Sequence, residues 1–116
     1  MKRYTLIEII EVVTQHEQWL QHGAPWKRAN LSGADLSRSN LKDADLSFAN
    51  LSDANLQGVN LSGAELTGAN LTGSDFTDAN LEGADLSGAH TLRAIFTGAQ
   101  LTGANLSRSI QQHEET

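Results

Sequence analysis

The sequence predicts an all-β fold, a four-sided parallel β-helix with a capping α-helix in front of it. Three observations predict this fold: a five-residue repeat, a ten-residue period in the polar positions, and an amphipathic segment that precedes the repeats. From residue 29 to residue 108 the chain divides into sixteen groups of five, such as ANLSG and ADLSG, without insertion or deletion. A repeat this regular is typical of a solenoid, in which each unit packs on its neighbours.

The five-residue period excludes an ordinary helix and a flat strand. In an α-helix, at about 100° per residue, successive Leu residues would lie about 140° apart and form no apolar stripe. In a flat strand, an odd period sends successive Leu side chains to opposite faces. The backbone therefore has to turn once in each group, so that every Leu points inward. The small residue two positions earlier shares the inner side, the polar residue between them points outward, and the frequent final Gly suits a turn with positive φ.

The outward positions decide how many sides the coil has. Asn recurs at residues 30, 40, 50, 60, 70 and 80, and mostly acidic residues lie halfway between these positions. A coil of twenty residues with four sides keeps this period of ten, whereas a coil of fifteen residues would scramble it. Residues twenty apart then stack at the strand spacing of about 4.8 Å. This arrangement predicts an interior column of Leu36, Leu56, Phe76 and Phe96.

Repeats such as ADLSG and ANLTG resemble the A(D/N)LXX units of the pentapeptide repeat family. The resemblance covers residues 24–108, where the group APWKR at 24–28 keeps the frame with Trp26 in the Leu position. It implies a right-handed, quadrilateral β-helix of about four coils with ladders of Leu and Ala inside. The predicted organisation is a capping helix at 1–23, the β-helix at 24–108 and a short polar C-terminal tail at 109–116.

The segment before the repeats predicts a helix that covers the first coil. Thr5 and Glu8 have the spacing of a capping box, Tyr4 and Ile9 that of a hydrophobic staple, and Gly23 begins the stop. An open solenoid end exposes core and unpaired backbone, so it needs such a cover. The predicted apolar face consists of Leu6, Ile9, Ile10, Val13 and Leu20, with Trp19 or Trp26 closing the Leu column.

The repeat breaks at SGAHTLRAIFTG, residues 87–98. Thr91 occupies a Leu position, while Leu92 and Ile95 occupy positions that are normally polar. One interpretation is a local bulge that turns Leu92 inward in place of Thr91. The other is an apolar patch of Leu92, Ile95 and Ile110 that binds a second copy of the chain or another protein. From the second interpretation we predict a dimer made through the C-terminal coils.

Residues that could support catalysis or metal binding are sparse. The chain has no Cys, and its four His residues are expected to be solvated rather than metal ligands: His16, His22, His90 and His113. No Ser or Thr has a base and an acid arranged around it, and no phosphate-binding loop occurs. The sequence therefore predicts a non-enzymatic protein without cofactor, metal or small-molecule substrate.

The net charge of −6 argues against direct binding to nucleic acid or to an anionic membrane. No apolar run is long enough to span a bilayer, and the N-terminal segment lacks the features of a signal peptide, so we expect a cytoplasmic protein.

The middle of the chain is acidic. Between residues 43 and 92 there are eight Asp and Glu residues and no Lys or Arg. Asp45, Glu65 and Asp85 are predicted to stack in one column. Such a wall can simply keep the solenoid soluble. The leading hypothesis is a protein–protein interaction or structural module. The alternative, implied by the family resemblance, is a DNA mimic that inhibits or protects a type II topoisomerase such as DNA gyrase.

Overall fold

The computed structural model describes residues 1–110, and its first element is the helix α1, Leu6–His22. The capping box is present, because the Thr5 hydroxyl accepts from the Glu8 N–H (3.1 Å) and the Glu8 carboxylate accepts from the Thr5 N–H (2.9 Å). Gly23 follows α1 with φ of 73° and donates its N–H to the Trp19 carbonyl (2.8 Å). No helix within residues 1–110 has the length and apolar character needed to cross a membrane.

From residue 30 to residue 110 the chain coils with a period of twenty residues. Every fifth residue forms a single-residue parallel β-bridge with the residue twenty positions away, from Asn30 with Asn50 to His90 with Ile110. Five residues therefore make one side and twenty residues one turn around the axis. Because each bridge is a single residue, the sides are short and the backbone bends after each of them.

Each corner is a turn whose last residue has a left-handed backbone. From Gly33 to Arg108 the fifth residue of every group has φ between 58° and 73°. Gly fills most of these positions, and at Gly68 a Cβ atom would clash with the Phe48 ring that lies over it. Outward side chains support the corners, as where the Asn50 Oδ1 accepts from the Ser52 N–H (3.0 Å).

The interior is formed by the two inward positions of each group. The central Leu or Phe is at most 5% exposed from Leu31 to Leu86, and the Ala positions between them are also closed to solvent. The predicted column is confirmed: Leu36, Leu56 and Phe76 are buried, and Phe96 stacks on Phe76 with ring centroids 5.0 Å apart and planes 3° apart. Phe96 is half-buried because it lies in the last coil of the described chain.

Candidate interaction surfaces

The predicted apolar patch borders one corner of the last coil. Ile110 bridges His90 on one side, Ile95 bridges Asp75 on the next side, and Leu92 lies in the turn that joins the two sides. Ile95 is 45% exposed and Ile110 41% exposed, whereas Leu92 is half-buried. The three residues therefore surround a corner and do not form one flat face.

The bulge interpretation of this segment is wrong, because the backbone keeps its register through the break. The Thr91 N–H donates to the Ile110 carbonyl (3.0 Å), and the Leu92 carbonyl accepts from the Gly73 N–H (2.9 Å). Thr91 thus takes the Leu position and is buried, and its Oγ1 has no hydrogen-bond partner within residues 1–110. Moving Leu92 inward would break these ladder bonds, which explains why the regular turn persists.

The last coil exposes positions of the repeat that the earlier coils bury. Leu106 is 40% exposed, whereas Leu86, its equivalent one coil earlier, is completely buried. Phe96 and Leu101 are half-buried in the same coil. Within the described part of the chain, the apolar surface at this end therefore includes interior side chains as well as Ile95 and Ile110.

The β-bridges stack the three residues of the predicted acidic column. Asp45 bridges Glu65, and Glu65 bridges Asp85, so the three carboxylates lie one above another on the same side. Asp45 is also structural, because its Oδ1 accepts from the Ser47 N–H (3.1 Å) and the Ser47 hydroxyl (2.7 Å). Hydrogen bonds from the Ser87 hydroxyl and then from its N–H lower the pKa of Asp85 below its usual value. Glu65 is the exposed member of the column.

His16 connects α1 to the first coil, whereas the sequence predicted that this side chain would be solvated. His16 is completely buried. Its Nε2 donates to the Ser47 carbonyl (2.8 Å) and its Nδ1 accepts from the Ala29 N–H (2.9 Å). The expectation of a solvated His16 is therefore wrong. Helical spacing from Ile9 and Val13 places residue 16 on the inner face of α1, and this was the signal that could have revealed it.

The predicted role of the tryptophans is also wrong. Trp26 is 39% exposed, and the regular bridges begin only at Asn30, so the group at 24–28 does not form a regular side. Trp19 is half-buried and packs against His16 with ring centroids 5.5 Å apart. Ile9 covers the interior instead, with partly buried Val12, Val13 and Tyr4 beside it. Leu6 and Ile10, expected on the inner face, are exposed.

The N-terminal segment supplies two of the hydrogen bonds that a preceding coil would make with outward residues. In the regular coils an outward residue donates its N–H to the coil before it, as Asn55 does to the Ala34 carbonyl (2.8 Å). In the first coil, Asp35 donates instead to the Lys2 carbonyl (2.7 Å), and Asp45 donates to the Glu17 Oε2 (3.2 Å). The cap therefore satisfies part of the backbone edge as well as covering the core.

The other two histidines within residues 1–110 lie at the surface. His22 and His90 are exposed, and His113 lies outside the described residues. Across residues 1–110, no three His, Asp or Glu side chains are arranged to hold a metal ion.

The profile of the family described as pentapeptide repeats matches residues 27–58, 54–90 and 74–110. The chain belongs to the pentapeptide repeat family. Its members are generally structural or interaction modules. Comparison with curated proteins by sequence gave no match.

Solved structures of family members are similar to this chain. The crystal structure of alr5209, a pentapeptide repeat protein from Nostoc PCC 7120, is 29% identical, with a TM-score of 0.75, over 98% of this chain and 90% of that one. AT2G44920, a pentapeptide repeat protein from the Arabidopsis thaliana thylakoid lumen, is 32% identical, with a TM-score of 0.58, over 78% of this chain and 70% of that one.

Proposed function

We propose that this chain is a non-enzymatic protein-binding solenoid, a right-handed quadrilateral β-helix of about four coils that pairs with a second copy through its last coil. The observation that carries the proposal is the apolar surface at that end, where Ile95, Leu106 and Ile110 are each about two-fifths exposed. Exposed apolar surface that adjoins a hydrophobic interior is typical of a protein interface. A partner seated there would bury it, as α1 buries the interior at the other end.

The test is the molar mass in solution, measured by light scattering across micromolar concentrations. We expect a concentration-dependent dimer for the wild type and a monomer for Ile95→Asp, because a carboxylate at the corner would be desolvated by the partner. Phe48→Asp is the matched control, since Phe48 is exposed in the first coil and Asp occupies the same corner position at residues 43, 53 and 78. It should leave the dimer intact.

A wild-type monomer at every concentration would exclude the second copy as partner. The apolar corner would then be tested for another protein by comparing what wild type and Ile95→Asp capture from the host. Identical captured proteins would remove Leu92, Ile95 and Ile110 from the proposed interface.

The alternative function is mimicry of DNA at a type II topoisomerase. It is supported by the stacked carboxylates of Asp45, Glu65 and Asp85 on a part of the chain without Lys or Arg. A gyrase supercoiling assay tests it, with the triple variant Asp45→Asn, Glu65→Gln and Asp85→Asn as control. The variant removes three charges but keeps the side-chain oxygens that accept from Ser47 and Ser87. Absence of inhibition by the wild type, or equal inhibition by the variant, would exclude charge mimicry.

The cytoplasmic location stays a prediction. Fractionation of the host with an antibody to the chain would test it.

A further inference from the structure

His16 makes two hydrogen bonds that replace regular bonds of the coil. At a regular corner, the last residue of the group donates its N–H to a carbonyl of the next coil, as Gly33 does to the Ser52 carbonyl (2.8 Å). The next residue donates back across the corner, as Ala34 does to the Leu31 carbonyl (3.1 Å). At the irregular start of the solenoid, the His16 ring donates to the Ser47 carbonyl (2.8 Å) and accepts from the Ala29 N–H (2.9 Å). One side chain from α1 thus satisfies two backbone groups of the first coil.

This arrangement requires one protonation state of the ring. A carbonyl can only accept and a backbone N–H can only donate, so Nε2 carries the proton and Nδ1 does not. A second proton on Nδ1 would point at the Ala29 N–H, lose that hydrogen bond and place a positive charge in a completely buried position. The buried position of His16 therefore favours the neutral imidazole over the imidazolium.

The charged groups around His16 act in opposite directions on its protonation. Burial is the largest influence and lowers the pKa of His16 below 6.5. The Ser47 carbonyl and the carboxylates of Asp45 and Glu17 oppose this effect, and the Arg28 guanidinium adds to it. Asp45 and Arg28 belong to the solenoid and Glu17 to α1, so both packed elements contribute. The net result favours the neutral ring while α1 is in place.

We propose that His16 is a proton-sensitive clasp, which holds α1 on the first coil when neutral and releases it on acidification while the later coils stay folded. Release uncovers the Ala29 N–H, the Ser47 carbonyl and the core surface under Ile9. The first coil then presents an open backbone edge that can pair with another chain.

The direction of the pH dependence follows from linkage. The released helix has an exposed His16 with an ordinary pKa near 6.5, and the docked helix has a lower one. Protons therefore bind preferentially to the released state, and docking is strongest above pH 6.5. As the pH falls below that value, the opening equilibrium rises by up to about tenfold per pH unit until the pKa of the docked ring is reached.

Hydrogen–deuterium exchange of the full chain tests this proposal. Protection factors, corrected for the intrinsic pH dependence of exchange, are compared at pH 7.5 and pH 5.5 for a peptide from α1 and one from residues 55–75. For wild type we expect about tenfold lower protection in α1 at pH 5.5 and unchanged protection in the central coils. Equal protection of α1 at both pH values would overturn the proposal, as would a parallel loss in the central coils.

Three variants separate the clasp from other titrating groups. His16→Gln keeps one donor and one acceptor without a titration in this range, so its α1 protection should not depend on pH. His22→Gln, at the exposed end of α1, and Glu17→Gln, which keeps an oxygen for the Asp45 N–H, should both retain the wild-type pH dependence. The proposal would be overturned if the α1 protection of His16→Gln still depended on pH. It would also be overturned if that dependence disappeared in His22→Gln or Glu17→Gln.

A measurement on wild type covers the case in which His16→Gln fails to dock its helix. The ¹⁵N shifts of the imidazole rings report their protonation directly. We expect His16 to remain in the neutral Nε2–H form in the docked protein at pH 5.5. A protonated His16 ring in chains whose α1 is still protected would overturn the proposal.

Discussion

The two ends of the solenoid carry the same repeat but differ in what closes them. At the first coil, side chains and backbone of the N-terminal segment replace the missing coil: His16, Glu17 and Lys2 each satisfy a backbone group of the solenoid. At the last coil, the described chain ends with Ile110 paired to His90, and interior residues are partly exposed. A repeat propagates along the axis by pairing with itself, whereas its closure requires residues that do not belong to the repeat.

The difference between the ends changes what one residue type contributes. Leu31 in the first coil is 2% exposed under α1, whereas Leu106 in the last coil is 40% exposed. Burial of a complete Leu side chain contributes about 2 kcal/mol, and partial burial contributes less. Identical positions in the repeat are therefore not energetically identical.

The largest expected effect distinguishes the interior from the open end. Leu56→Lys places a charge in a fully buried position and should destabilise the fold by about 5 kcal/mol or more, which is enough to unfold it. The matched change Leu106→Lys lets the ammonium reach water and should lower the free energy of unfolding by about 1 kcal/mol or less. Urea unfolding followed by circular dichroism measures both. Similar losses for the two variants would contradict the difference in burial.

The second prediction compares two buried hydroxyl groups, those of Thr91 and Ser74. Thr91→Val removes a buried hydroxyl that has no partner within the described residues, with little change in shape, and should stabilise the protein by about 1 kcal/mol. Ser74→Ala is the control, because the Ser74 hydroxyl donates to the Leu51 carbonyl (2.7 Å) and its loss leaves that bond unmade. Thermal unfolding should show a higher midpoint for the first variant only. A lower midpoint for Thr91→Val would show that its hydroxyl is satisfied in solution.

Acid pH tests how much the Asp85 carboxylate contributes to stability. The pKa of Asp85 is lowered by Ser87, so its contribution to stability is present above the unfolded value of 3.8 and is lost as the pH falls through the lower folded value. The loss of stability between pH 6 and pH 3 should therefore be smaller for Asp85→Asn than for wild type, as measured by urea midpoints. An unchanged pH dependence in this variant would assign the acid loss to other carboxylates.

The smallest expected effect concerns Asp45, the member of the acidic column that contacts α1. Asp45→Asn keeps the Oδ1 acceptor for Ser47 and removes repulsion with Glu65, so stability should be unchanged or rise by about 0.5 kcal/mol at low salt. Asp45→Ala loses the acceptor and should destabilise by about 1 kcal/mol. Equal effects of the two variants in chemical unfolding would mean that the carboxylate charge, and not its hydrogen bonds, determines the stability of this corner.

The repeat predicted the solenoid well because each of its positions has one physical requirement. Leu56 has to leave water, Asn50 has to remain near it, and the residue that ends each group has to adopt a positive φ. The break at Thr91 places two physical requirements in conflict. Its side chain favoured a bulge that would bury Leu92, but backbone bonds to the coils on both sides outweighed that local preference.

The acidic column could be predicted from the period of the sequence, whereas the shape of the apolar patch could not. The period of ten was sufficient to align Asp45, Glu65 and Asp85, because bridging residues are twenty apart. The arrangement of Leu92, Ile95 and Ile110 around a corner required the position of each turn.

The amino-acid sequence alone determined the period, the four sides, the interior column and the existence of a capped helix, since each follows from a local pattern repeated many times. Only the tertiary structure decided how that helix is held. The Ser47 carbonyl needs a partner because no regular coil precedes the first one, and the Ala29 N–H needs one because the group at 24–28 forms no regular corner. His16 meets both only because α1 crosses that edge. Such a contact joins residues from two unlike elements, so no periodicity in either of them contains it.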